Sequence, residues 1–139
     1  MNLCNPPRFL IRSAPVTNQP DVGNGNVKKE TVEKMNAKLL SDLPIDSVKV
    51  CFHSQAEGCE CRKPKPGMIL EAAIDLQADI PKSYMIGDRW SDISAGKKAG
   101  CSTIFIDRNY AEDQIDQADV VVSSLMAAVD LIISQSMDK

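Results

Sequence analysis

Three of the five cysteines and the only histidine fall within eleven residues, as Cys51-x-His53-x5-Cys59-x-Cys61. Two tight ligand pairs on either side of a short loop can close a tetrahedron of three thiolates and one imidazole. Four protein ligands with no open position make a structural zinc site. The alternative is a group of cysteines beside an incidental histidine. Gly58 favours the metal, because a loop wrapped round an ion often needs a backbone conformation that glycine adopts without strain. Crowding of this kind also favours a metal over disulfides, and it leaves Cys4 and Cys101 without an evident partner.

The last cysteine runs straight into Arg62-Lys63-Pro64-Lys65-Pro66-Gly67. Cations fixed beside a helix amino terminus make a phosphate site, whereas a free basic loop is merely solvated. A metal on one side and two prolines on the other favour the fixed arrangement. Further on, Gly87-Asp88-Arg89-Trp90-Ser91-Asp92 places two carboxylates four residues apart at a strand-to-helix turn. Hard oxygen ligands suit magnesium, but an acid near a helix start is as readily a cap, and Asp92 fits the cap or a supporting role better than Asp88 does. Thr17-Asn18-Gln19 is the weakest of these signals. A threonine hydroxyl and exposed backbone donors can hold a phosphoryl oxygen, or the three residues form an ordinary turn.

These residues need elements to position them. Val32, Met35, Leu39, Leu40 and Leu43 recur at helical spacing, which predicts an amphipathic helix over 29–43 ended by Pro44. A strand rich in β-branched residues over 47–52 should lead into the Cys/His loop. Pro66-Gly67 should open a helix over 68–78, and Tyr84-Met85-Ile86 should form a strand ending at Gly87-Asp88. A helix starting at Ser91 or Asp92 and stopping at Gly100, a strand over 103–106, a buried strand over 120–122 and a helix over 125–133 complete the reading. The proline-rich start has no clear period; Phe9-Leu10-Ile11 is a candidate short strand before Thr17, interrupted near Pro15. Strands separated by helices predict a parallel sheet covered on both faces, with ligands at the carboxyl ends of the strands.

Composition narrows the class. With 139 residues, 43% apolar and 25% charged, the chain has the make-up of one ordinary globular domain. A net charge of -3 and mixed signs provide no basic stripe for nucleic acid. No apolar run approaches the roughly 20 residues of a membrane helix, and the start lacks the regions of a signal peptide, so a cytoplasmic location is expected.

Taken in order, Val16-Thr17-Asn18-Gln19, then the Cys/His loop with Arg62-Lys63-Pro64-x-Pro66-Gly67, then Met85-Ile86-Gly87-Asp88-Arg89-x-x-Asp92 resemble the haloacid dehalogenase (HAD) superfamily. The likeness is to its heptose-bisphosphate and histidinol-phosphate phosphatases and covers roughly residues 16 to 133. It implies a three-layer, parallel-sheet, Rossmannoid α/β fold and hydrolysis of a phosphate monoester through an aspartyl-phosphate, assisted by magnesium. It implies that Thr17 and Asn18 hold phosphate, that Lys63 neutralises nucleophile and phosphate, that Arg62 orients substrate and that Asp88 is a magnesium ligand. Structural zinc would sit on Cys51, His53, Cys59 and Cys61, within a loop over 51–61 of a domain over 16–139. Residues 1–15 are expected to be irregular or replaced sequence.

Members of that superfamily begin with an apolar strand ending in Asp-x-Asp, and no Asp-x-Asp occurs in these 139 residues. Three readings follow from the difference. The chain is an amino-terminally truncated phosphatase fold, inactive alone; or it is completed by another chain; or it is a zinc-dependent interaction module. A phosphorylated small molecule such as a sugar phosphate is the expected ligand, with magnesium weak or absent. Loss of the central strand further predicts that its two flanking strands pair directly, or that Phe9-Leu10-Ile11 fills the gap, or that a strand is borrowed in a homodimer, the outcome most expected.

Overall fold

A computed structural model describes residues 11–110 and 117–137. Five strands and five helices are present among them: β1 (Val16–Asn18), α1 (Pro20–Gly23), α2 (Lys29–Asp42), β2 (Lys49–Cys51), α3 (Gly67–Leu76), β3 (Tyr84–Gly87), α4 (Trp90–Ala99), β4 (Ser102–Ile106), β5 (Val120–Val122) and α5 (Leu125–Met137). Every strand pairing is parallel, as alternating strands and helices require. This is the expected α/β class. The strands nevertheless form two sheets, β1-β2 and β3-β4-β5.

The three-stranded sheet holds most of the core. Met85, Ile104, Phe105 and Ile106 are buried, together with Ile93 and Ala95 of α4 and Ala128 of α5. A side chain at Gly96 would put its Cβ 2.6 Å from that of Met85 and 2.9 Å from Cγ2 of Thr103, so glycine lets α4 lie directly on β3 and β4. The helix stops where Gly100 turns left-handed at φ 99°. Thr103, fully buried, donates its N–H and hydroxyl to Asp119 at 2.8 and 3.2 Å and accepts the Asp119 N–H at 3.1 Å, which ties the start of β5 to β4.

The two-stranded sheet is thinner. Val32 is the buried residue of α2, whereas Met35 is 60% exposed and Leu39, Leu40 and Leu43 are exposed as well. The helix forms where periodicity puts it and ends as expected, with Leu43 extended before Pro44. Most of its apolar stripe stays in solvent, because a sheet of two three-residue strands offers little surface to cover it.

Several boundaries differ from expectation. Thr17 lies inside β1 rather than after a strand, and Ile11 is half-exposed and outside any strand, while Phe9 and Leu10 lie outside the described residues. The third helix ends at Leu76 because Gln77 turns left-handed, and the last runs on to Met137. Direct pairing of β1 with β3 does not occur. No described helix is long and apolar enough to cross a membrane.

Candidate functional site

The Cys/His loop leaves the end of β2, so Cys51 is buried while the other ligands come from the loop itself. Gly58 has φ 63°, the left-handed conformation its position called for. Cys51 Sγ lies 3.7 Å from His53 Nδ1, 3.4 Å from Cys59 Sγ and 2.9 Å from Cys61 Sγ. His53 Nδ1 is 3.2 Å from Cys61 Sγ, and Cys61 is 3.5 Å from Cys59. All four donor atoms fall within 4.8 Å of one another. A tetrahedral ion with metal–sulfur bonds of about 2.3 Å needs ligands about 3.8 Å apart, so the set fits such an ion with little adjustment.

The thiols also behave as one titrating cluster. Burial pushes Cys51 up, and it pushes Cys61 up to about 12 with help from the neighbouring thiols. Burial acts upward on Cys59 too, but hydrogen bonds from Cys51 and Cys61 outweigh it and bring that thiol down to about 6. Closely spaced thiols resist holding several negative charges unless a cation shares the site.

Beyond Cys61 the chain doubles back. A Cβ on Gly67 would fall 2.5 Å from the Glu60 carbonyl oxygen, so glycine permits the close return. Lys65 Nζ donates to Cys59 O at 2.7 Å, and Lys65 N donates to Arg62 O at 2.9 Å. Within this turn the Lys63 peptide docks on Asn18: Lys63 N donates to Asn18 Oδ1 at 3.1 Å, and Asn18 Nδ2 donates to Lys63 O at 3.3 Å. The Lys63 ammonium reaches Val16 O at 3.1 Å and Asp92 Oδ1 at 2.5 Å, with both charged side chains largely buried. Arg62 Nη1 is buried with no hydrogen-bond partner among the described residues. Burying such a donor costs about 1–3 kcal/mol, and an anion placed there would remove the cost.

Asp88 and Asp92 separate rather than converge. Asp92 is the third residue of α4; its Oδ2 accepts the Arg89 N–H at 3.2 Å while Oδ1 holds Lys63. The N-cap is Arg89, not Ser91 or Asp92, and Asp92 serves as cap acceptor and lysine partner together. Asp88 instead accepts the Tyr110 hydroxyl at 3.1 Å, and the Arg89 guanidinium stands 5.4 Å over the same ring. Among the described residues Asp88 belongs to no cluster of three acidic, histidine or cysteine ligands. Among the described residues Asp88 is therefore left with the Tyr110 hydroxyl rather than with other carboxylates that could share a magnesium ion. Tyr110 escaped the sequence reading; its signal is position, four residues past the carboxyl end of β4.

Asn18 thus comes together with Lys63, which Arg62 precedes in the chain, while Thr17 is Asn18's neighbour in β1 with no hydrogen bond to Lys63. The Thr17 hydroxyl accepts Gln19 Nε2 at 3.3 Å and donates to Asn18 O at 3.4 Å, two long bonds.

A HAD-hydrolase-like family model matches residues 60–128. The D-glycero-beta-D-manno-heptose-1,7-bisphosphate 7-phosphatase of Haemophilus ducreyi is 34% identical over 133 residues, covering 84% of this chain and 71% of its own length. The D-glycero-alpha-D-manno-heptose-1,7-bisphosphate 7-phosphatase of Campylobacter jejuni is 38% identical over 95 residues, covering 65% of this chain and 54% of that enzyme. The chain spans about half the length of that relative and of its Helicobacter pylori counterpart. Among solved structures, the D,D-heptose 1,7-bisphosphate phosphatase of B. bronchiseptica, complexed with magnesium and phosphate, superposes with a TM-score of 0.76 at 25% identity, covering 89% of this chain and 75% of that one. The chain belongs to the HAD-like hydrolase family, in the branch of the heptose bisphosphate phosphatases.

Proposed function

We propose that this chain holds the phosphate-binding and metal-stapled part of a sugar-phosphate phosphatase, and that the 139 residues by themselves bind phosphate without hydrolysing its esters. The observation that carries the reading is the junction of Asn18, Lys63 and Asp92, in which the Lys63 backbone docks on Asn18 of β1 and its buried ammonium reaches Asp92 at the start of α4. Fixed cations at strand ends attract a phosphoryl group, and the orphaned Arg62 donor adds to that attraction.

Zinc is the proposed ion for Cys51, His53, Cys59 and Cys61, since three sulfurs and one nitrogen without an open position suit a structural role. It would hold the loop that carries Arg62 and Lys63. Inactivity is proposed because covalent phosphoryl transfer needs a nucleophile, and no residue here takes the place of Asp-x-Asp. Magnesium, whose chemistry would be to neutralise charge on phosphate, is expected to bind weakly, with Asp88 the one carboxylate placed to receive it.

Phosphate titration read by amide NMR should move Thr17, Asn18, Arg62 and Lys63; shifts confined to a distant surface would overturn the site. In parallel, a heptose bisphosphate and magnesium should give no turnover beyond a Lys63→Ala control. Turnover above that control would refute the inactive reading.

A further inference from the structure

Tyr110 is half-exposed, yet it is fixed by the turn that delivers it, by its hydroxyl and by its ring face. After β4, Asp107 N donates to Val122 O at 2.9 Å on the β5 side, and Asp107 Oδ1 accepts the Asn109 N–H at 2.9 Å. A carboxylate that takes the N–H two residues on closes an Asx turn. Asn109 is left-handed at φ 59°, a conformation asparagine tolerates better than most side chains. The chain is thereby carried from the β5 flank of β4 to its β3 flank, where Tyr110 meets Asp88.

The hydroxyl donates to Asp88 Oδ2 at 3.1 Å, and the Arg89 guanidinium stands 5.4 Å over the ring. Packing alone does not call for this bond, because the ring is half in solvent and water would serve the hydroxyl as well. The carboxylate is what the bond changes. With Oδ2 committed to Tyr110, the carboxyl group cannot turn freely, and Oδ1 is the oxygen presented to a further ligand. Asp88 also adjoins the phosphate site: Asp92 Oδ2 accepts the N–H of the next residue, Arg89, at 3.2 Å, while Asp92 Oδ1 holds the Lys63 ammonium.

We infer that Tyr110 is a positioning residue for Asp88, whose hydroxyl fixes one carboxylate oxygen so that the other faces a hydrated divalent cation at the carboxyl end of β3. Magnesium keeps several waters and is commonly held by one or two carboxylates together with a substrate phosphate, so one aimed oxygen is a fitting contribution. Carboxylates that ligate an ion are themselves hydrogen-bonded as a rule, and loss of that partner costs about ten-fold or more in metal affinity. This role rests on the reading of Asp88 as the carboxylate that receives magnesium. The opposite arrangement, with hydroxyl and ion competing for the same oxygen, gives the opposite sign when the hydroxyl is removed.

The test is manganese(II) alone, which suits the same oxygen ligands, titrated into the full chain and read by paramagnetic broadening of the Gly87, Asp88 and Arg89 amide signals. Broadening that Asp88→Asn removes is expected in the parent. Tyr110→Phe keeps the ring and its Arg89 contact and loses the hydroxyl alone, so the concentration for half-maximal broadening should rise about ten-fold. Tyr110→Ala should raise it at least as far. Unchanged or tighter binding by Tyr110→Phe, with Asp88-dependent broadening intact, overturns the positioning role and leaves Asp88 as a metal carboxylate. Absence of Asp88-dependent broadening in the parent overturns both, whereas phosphate shifts at Arg62 and Lys63 would still uphold the phosphate site.

Discussion

The two sheets are held by different forces. Around β4, buried apolar side chains and a glycine-mediated helix contact form the core without any metal-ligating cluster among the described residues. Around β1 and β2 the apolar side chains of α2 remain exposed, and order comes from the Cys/His cluster, the Asn18–Lys63 docking and one buried ion pair. A family site is thus carried mainly by polar constraints, which act over a few atoms and can be removed singly. Burial acts over a surface and yields by degrees.

Removing the proposed zinc should separate the halves most sharply. Structural zinc in small peptides binds with about 10–16 kcal/mol, most of it linked to folding, so a chelator or Cys59→Ser should abolish amide protection in β2 while β4 keeps its own. Equal loss in both sheets would show that the contrast is false. Acidification should act in the same direction, because protons compete with the ion for thiolates, and zinc retained by elemental analysis well below pH 5 would contradict that.

Breaking the ion pair ranks next. Lys63→Ala leaves the Asp92 carboxylate buried without its cation, a change that costs about 3–5 kcal/mol. Replacing both residues with apolar ones of similar size should recover much of the stability in a denaturant titration, as double-mutant analysis of a buried pair requires. No recovery would mean that Lys63 stabilises mainly through Val16 and Asn18.

In the apolar half, Ile104→Val should lower stability by about 1 kcal/mol without changing metal content. The smallest effect is expected at Asp119, whose carboxyl Thr103 holds below its usual range by hydrogen bonding from its backbone N–H. A depressed folded pKa gives stability that is present above the unfolded value, near 4, and lost as pH falls through the folded one. The advantage of the parent chain over Asp119→Ala in thermal melts should therefore shrink below about pH 4. A gap that persists at lower pH would assign the loss to packing. Cys101→Ser, away from the cluster, should change the melt less than Cys59→Ser does.

Local sequence determined what local physics decides. Cysteine and histidine spacing brought Cys51, His53, Cys59 and Cys61 together because they lie within eleven residues and need only a short loop to meet. Period and punctuation placed the helices, with Pro44 and Gly100 marking their ends as read. The order of motifs disclosed the family before any coordinates. Tertiary structure alone decided the rest. Whether Asp92 would face a cation beside Asp88 or turn to Lys63 depended on how a loop 29 residues away folds back, and that is set by the Gly67 return and the Asn18 dock. Tyr110 met Asp88 because two strand ends lie side by side in the sheet, a relation with no period in the chain. The division of the strands into two sheets is likewise a property of pairing: a sequence shows which segments form strands, but hydrogen bonds between distant segments decide which strands pair.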